Sequence, residues 1–99
     1  MYTNPQKRAL SETGDLRKEA GRWLKDRREA RGLSQRRLAE LVDVEYYTFI
    51  SQLETGRGRI PPDKYRAWAQ ALGMDARELV LALLPFYDPT TYSILFPDN

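Results

Sequence analysis

Apolar residues recur along the chain in short blocks at helical spacing, and glycine or proline punctuates almost every gap. Leu16, Ala20, Trp23, Leu24 and Ala30 stand among charged neighbours, which predicts an amphipathic helix over about 15–31, stopped by Gly32 as a C-terminal cap. Ser34 is placed to accept from free amides of the next turn, and Leu38, Ala39, Leu41 and Val42 carry a second, short helix over 36–42. Asp43-Val44-Glu45 breaks that pattern. A third helix is expected from about Glu45 or Tyr46 to Thr55, with Ile50 and Leu53 on one face and Gly56 at its end.

The stretch 57–62 holds two glycines and Pro61-Pro62, so it reads as a loop. Pro62-Asp63 then opens a fourth helix whose face is Tyr65, Trp68, Ala69 and Leu72, capped by Gly73. Asp75 and Glu78 have the spacing of a reciprocal N-terminal cap and lead a fifth, strongly apolar helix, Leu79 to Leu84, ended by Pro85. Pro89-Thr90-Thr91 reads as a turn, and the β-branched and aromatic run Tyr92–Phe96 as a short strand. The expectation is an all-α chain of five helices with a C-terminal extended segment or short strand. It divides into a flexible arm over 1–13, a helical domain over 14–84 and an extension over 85–99.

Composition narrows the chemistry. The 99 residues contain neither cysteine nor histidine, which removes disulfides, zinc fingers, thiol nucleophiles and every histidine-based catalytic arrangement. No metal or cofactor is expected, and no small-molecule substrate. Acidic pairs such as Asp26 and Glu29 belong to charged helical surface, and no arginine cluster surrounds a tyrosine as strand-cleaving chemistry would need, so no enzyme is expected. No apolar run approaches a membrane span, and residues 1–8 lack the apolar core of a signal peptide, so a cytoplasmic location is expected.

The net charge of +2 conceals an asymmetry. Residues 1–37 hold 11 Lys/Arg against 5 Asp/Glu, whereas residues 61–99 hold 3 against 5. The excess suits a face for a polyanion, with a solvated helix surface as the plainer explanation. Two short helices joined by a tight turn, flanked by further helices in a basic domain, form the layout that carries its second helix into the DNA major groove.

The residues at these positions carry a resemblance. Gly32-Leu33-Ser34-Gln35, Leu38-Ala39-Glu40, Val44, Ile50-Ser51-Gln52-Leu53-Glu54, Gly56-Arg57 and Ala71-Leu72-Gly73-Met74 resemble the phage repressor/Cro-like (XRE-type) helix-turn-helix family over roughly 16–84. The resemblance implies a repressor-like helix-turn-helix fold and a DNA-binding regulator. Two positions depart from the pattern. Ile50 and Leu53 lie one residue further from Val44 than in typical members, and Asp43 stands where they carry glycine, implying either a less extreme backbone or a strained aspartate.

Counting back from Leu53, Glu54 and Gly56, the base-reading candidates are Gln52, Thr48 and Tyr47, with Tyr46 and Ser51 beside them. Gln52 leads, because its amide donates and accepts at once and so matches the adenine edge. Tyr46 and Tyr47 offer rings to a thymine methyl, unless one simply packs on the second helix. Arg57 and Arg59 around Gly58 are phosphate candidates, with Arg36 and Arg37 weaker ones. By resemblance, Gln35 is a phosphate contact, and Arg28 and Glu54 form an internal ion pair rather than a contact to DNA. Lys7 and Arg8 are candidates for a neighbouring groove, with a disordered cap that meets no partner as an equal alternative.

Phe86, Tyr87, Tyr92, Ile94, Leu95 and Phe96 put much apolar surface in the last segment. It either folds back over the core or pairs with the same segment of a second chain, and dimerisation is favoured. The resulting expectation is a sequence-specific transcription regulator on double-stranded DNA, acting as a homodimer on a palindromic operator. An antitoxin-like or adaptor module on the same fold is the alternative.

Overall fold

The computed structural model describes the backbone of residues 5–97 and the side chains of residues 14–97. In chain order it forms α1 (Pro5–Ala30), α2 (Gln35–Leu41), α3 (Thr48–Glu54), one 3-10 turn at Pro62–Lys64, α4 (Tyr65–Leu72), α5 (Ala76–Tyr87) and α6 (Pro89–Leu95). Among the described residues there is no strand, and no helix is long and apolar enough to cross a membrane. The helix α1 packs on α3 and α5, α4 packs on α2 and α5, and α6 packs on α5.

The apolar stripes read from the spacing meet in one core. Leu24 from α1, Leu38 from α2, Ile50 and Leu53 from α3, Trp68 and Leu72 from α4, and Leu79 and Leu83 from α5 are all buried. Each such side chain contributes about 1.5–3 kcal/mol of transfer free energy. Ile60 in the loop after α3 joins them, and Phe49 meets Trp68 edge to face at 6.3 Å between ring centroids.

The contact between α1 and α3 is closer than side chains would allow. A Cβ added to Gly21 would stand 2.7 Å from the Leu53 carbonyl oxygen and closer still to that of Glu54. The absence of a side chain at Gly21 therefore lets the backbone of α1 touch the C-terminal end of α3 and set its height.

The helix boundaries correct the sequence reading in four places. The first helix starts at Pro5, inside the segment read as a loose arm; Lys7 and Arg8 lie outside the residues whose side chains are described. The third starts at Thr48, so Tyr46 and Tyr47 belong to the turn before it. The fifth does not stop at Pro85 but runs through it to Tyr87. Proline removes one backbone donor there, while continuation buries Tyr87, whose hydroxyl accepts from the Ile60 N–H at 3.2 Å.

The fourth correction concerns the tail. Tyr92–Phe96 is not a strand, because Pro89–Leu95 forms α6 and brings the count to six α-helices among the described residues. The signal lies just upstream. The Asp88 carboxylate accepts from the Thr91 N–H at 3.2 Å and from its hydroxyl at 2.6 Å, and Pro89 fills the first helical position, where no N–H is needed. A capped start outweighs the β-branched content of the residues that follow.

Candidate nucleic-acid interface

The turn that launches α3 is built from α2. Val44 N–H donates to the Ala39 carbonyl at 2.9 Å and Asp43 N–H to the Glu40 carbonyl at 3.2 Å, a Schellman closure that needs a left-handed residue at Asp43. Asp43 has φ 56°, so the strained aspartate is the alternative realised. Lys64, which the sequence reading missed, donates from Nζ to the carbonyls of Val42 at 3.1 Å and Asp43 at 3.3 Å. Nothing local in the sequence signals this, since the lysine comes from the far side of the loop.

The residues between Val44 and Ile50 form the same turn. Phe49 N–H bonds to the Tyr46 carbonyl at 3.1 Å and Ile50 N–H to that of Tyr47 at 3.0 Å, so tight i→i+3 bonds start α3 without a side-chain cap. The helix buries Ile50, Leu53 and Glu54 and turns Thr48 and Gln52 outward, with Ser51 half-buried between. Thr55, just past its end, is exposed too, but its hydroxyl bonds back to the Ser51 and Gln52 carbonyls. The outward side of α3 carries no carboxylate, because its one acid is turned inward.

That acid is Glu54. Arg28 of α1 donates to it from Nε at 2.6 Å and from Nη2 at 3.0 Å, and its Nη1 reaches the Leu33 carbonyl at 2.7 Å. Both residues are 7% exposed. The bond to Glu54 holds the Arg28 pKa above its ordinary value against the opposing effect of burial. Gln35 joins the pair, its amide donating to Glu54 Oε1 at 3.1 Å. Part of the hydrogen-bonding capacity expected for a phosphate is thus spent inside the protein.

The tyrosines separate. Tyr46 is 66% exposed beside the start of α3. Tyr47 turns its ring back to α2, where the Arg36 guanidinium lies over it at 4.3 Å and Ala39, Glu40 and Val44 complete a small cleft. The other arginines also divide. Arg57 is exposed and makes no ion pair among the described residues, while Arg37 pairs with Glu40 at 3.6 Å. Arg59, expected beside Arg57 on the phosphate rail, is folded inward: it stacks on the Tyr87 ring at 4.6 Å and donates to the Tyr65 hydroxyl and to the Ile60 carbonyl.

The tail residues differ in burial. Tyr87 is buried, with burial raising its pKa above the ordinary phenol range, and Phe86 packs on the core. Tyr92 is half-buried, its ring tilted against that of Phe96 at 5.1 Å between centroids. Ile94 is 73% exposed, and Leu95 and Phe96 are exposed along a groove of about 600 Å³ between α4, α5 and α6.

Comparison with curated proteins and with solved structures finds no match. The family comparison does: the model of the helix-turn-helix domain aligns with residues 19–83, the span that holds the Arg28–Glu54 pair, the α2–α3 turn and α3 with its outward polar side. With most of its length inside that match, the chain belongs to the helix-turn-helix domain family.

Proposed function

We propose that this protein is a sequence-specific DNA-binding transcription regulator that inserts α3 into the major groove and acts as a homodimer on a palindromic operator. One observation carries the reading. The helix α3 is held by its buried side and by Glu54, and its opposite side presents Thr48, Ser51 and Gln52, side chains that hydrogen-bond to base edges, with no carboxylate to repel phosphate. Arg36, Arg37 and Arg57 are exposed on the elements that flank it, where in this docking geometry they meet the backbone. Gln52 is the leading base reader, and Tyr46 lies at the same edge.

Support for a homodimer comes from α6. Ile94 and Leu95 are exposed on one short, uncharged helix and Phe96 just past its end, an apolar patch that a second copy in a symmetric contact would cover. The antitoxin-like alternative draws on the same surface. Two copies would present two α3 helices about 34 Å apart, one turn of DNA.

The experiment is selection of bound duplexes from a random pool, followed by titration in rising salt. An enriched inverted repeat and a log K that falls by about 0.9 per phosphate contact for each decade of salt are expected. A pool that stays random, or affinity indifferent to salt, would overturn the reading. An enriched single half-site would remove the homodimer, and tight co-purification of an unrelated small protein would favour the adaptor alternative.

A further inference from the structure

Resting on the DNA-binding reading, we infer that Tyr47 is a positioning residue for Arg36: its ring holds the guanidinium in place over it, available to a backbone phosphate. The two were expected to act separately, the tyrosine on a base and the arginine as a weak phosphate contact. Their geometry joins them. The 4.3 Å separation of the Arg36 guanidinium from the Tyr47 ring centroid is shorter than the 4.6, 5.4 and 5.9 Å of the other arginine–ring contacts among the described residues.

The surroundings explain why a ring is needed. Glu40 and Glu45 line the same small cleft as Arg36 and Tyr47. A long, exposed arginine next to two carboxylates is drawn to fold onto one of them, which would cancel its charge toward a polyanion. Arg37 has done so, pairing with Glu40, while Arg36 makes no ion pair among the described residues. A planar guanidinium held over a ring can still offer its five fixed donors to a phosphate, whereas a lysine ammonium has no such planar fork to be positioned. The helix carrying Arg36 is the one that crosses the DNA backbone in this docking mode.

The late start of α3 makes the contact possible. Because the helix begins at Thr48, Tyr47 stands in the turn with φ −63° and ψ −20°, its ring against α2. Base reading by α3 then begins at Thr48, and Tyr47 contributes to affinity through Arg36.

The test uses the full chain, a mixed-sequence duplex and a salt titration. Arg36→Ala and Tyr47→Ala are each expected to flatten the slope of log K against log salt by about 0.9, although only the first removes a charge. Over a fourfold rise in salt the wild type should therefore lose about 3.5-fold more affinity than either variant. Tyr47→Phe should keep the wild-type slope, Arg36→Lys should not, and the double variant should match Arg36→Ala. A purely structural role for Tyr47 would lower the denaturation midpoint and leave the slope alone. An unchanged slope in Tyr47→Ala, with or without an altered base preference, overturns the inference, as does a Tyr47→Phe variant that behaves like Tyr47→Ala. Both outcomes leave DNA binding standing. A wild type that binds no duplex overturns the DNA reading itself.

Discussion

The ammonium group of Lys64 lies 3.3 Å from the carbonyl oxygen of Asp43, the non-glycine residue that holds the left-handed position between α2 and α3. Together with the bond to Val42 it neutralises the carbonyl end of α2 and pins the turn that aims α3. The strain at Asp43 and the support from Lys64 have separable consequences. Asp43→Gly should stabilise the fold by about 0.5–1 kcal/mol, because glycine meets no steric penalty there. Lys64→Met should destabilise it by about 1 kcal/mol through loss of a charged donor. Urea denaturation of both variants checks the pair, and a destabilised Asp43→Gly would contradict the account of the turn.

Arg28 and Glu54 are paired away from water, so removing one strands the other. Glu54→Gln is expected to cost about 3–5 kcal/mol, whereas replacing both with apolar residues of similar volume should cost much less. Equilibrium unfolding measures both. A loss of less than about 1 kcal/mol in Glu54→Gln would mean that water reaches the pair.

Two glycines of α1 provide an internal control. Gly21→Ala forces a methyl group against the backbone of α3 and should cost about 1–3 kcal/mol or more. Gly14→Ala meets nothing within 4 Å and should stabilise the helix by about 0.5–1 kcal/mol. Thermal melts of the two variants should move in opposite directions. Equal shifts would show that α1 and α3 do not touch at Gly21.

Acid should loosen α6. The bonds from the Thr91 hydroxyl and N–H hold the Asp88 carboxyl below its ordinary pKa. The stability this contributes is complete above the ordinary carboxylate range and disappears as pH falls through the lowered value. Amide exchange in α6 should therefore accelerate on acidification relative to α4, and Asp88→Asn should abolish that difference. An Asp88→Asn protein with an unaltered acid response would assign the effect to another group.

Base reading and phosphate binding should divide between Gln52 and Arg57. Gln52→Ala is expected to cost about 1–3 kcal/mol on the selected site and little on mixed sequence, while Arg57→Ala should weaken both alike. Competition assays with the two duplexes distinguish them, and equal losses for both variants on both duplexes would remove the division of labour.

Periodicity and capping chemistry were enough to read the first five helices, the stripes that became the core, and the glycine-ended helices, because these depend on neighbours a few residues apart; the sixth helix reads as a strand. The resemblance carried by residues such as Leu38, Ala39, Leu53 and Glu54 was equally local in form. Through-space packing settled the rest. Pro85 sits inside a helix because Tyr87 beyond it is buried, and Arg59 turns inward because two tyrosines from other elements receive it. Tyr47 lies against α2 because α3 begins only at Thr48, and Asp43 keeps a strained conformation under a lysine from across the loop. The competing local preferences run from about 1 kcal/mol for ordinary propensities to about 3 kcal/mol for a proline inside a helix, and contacts between distant segments outweigh them.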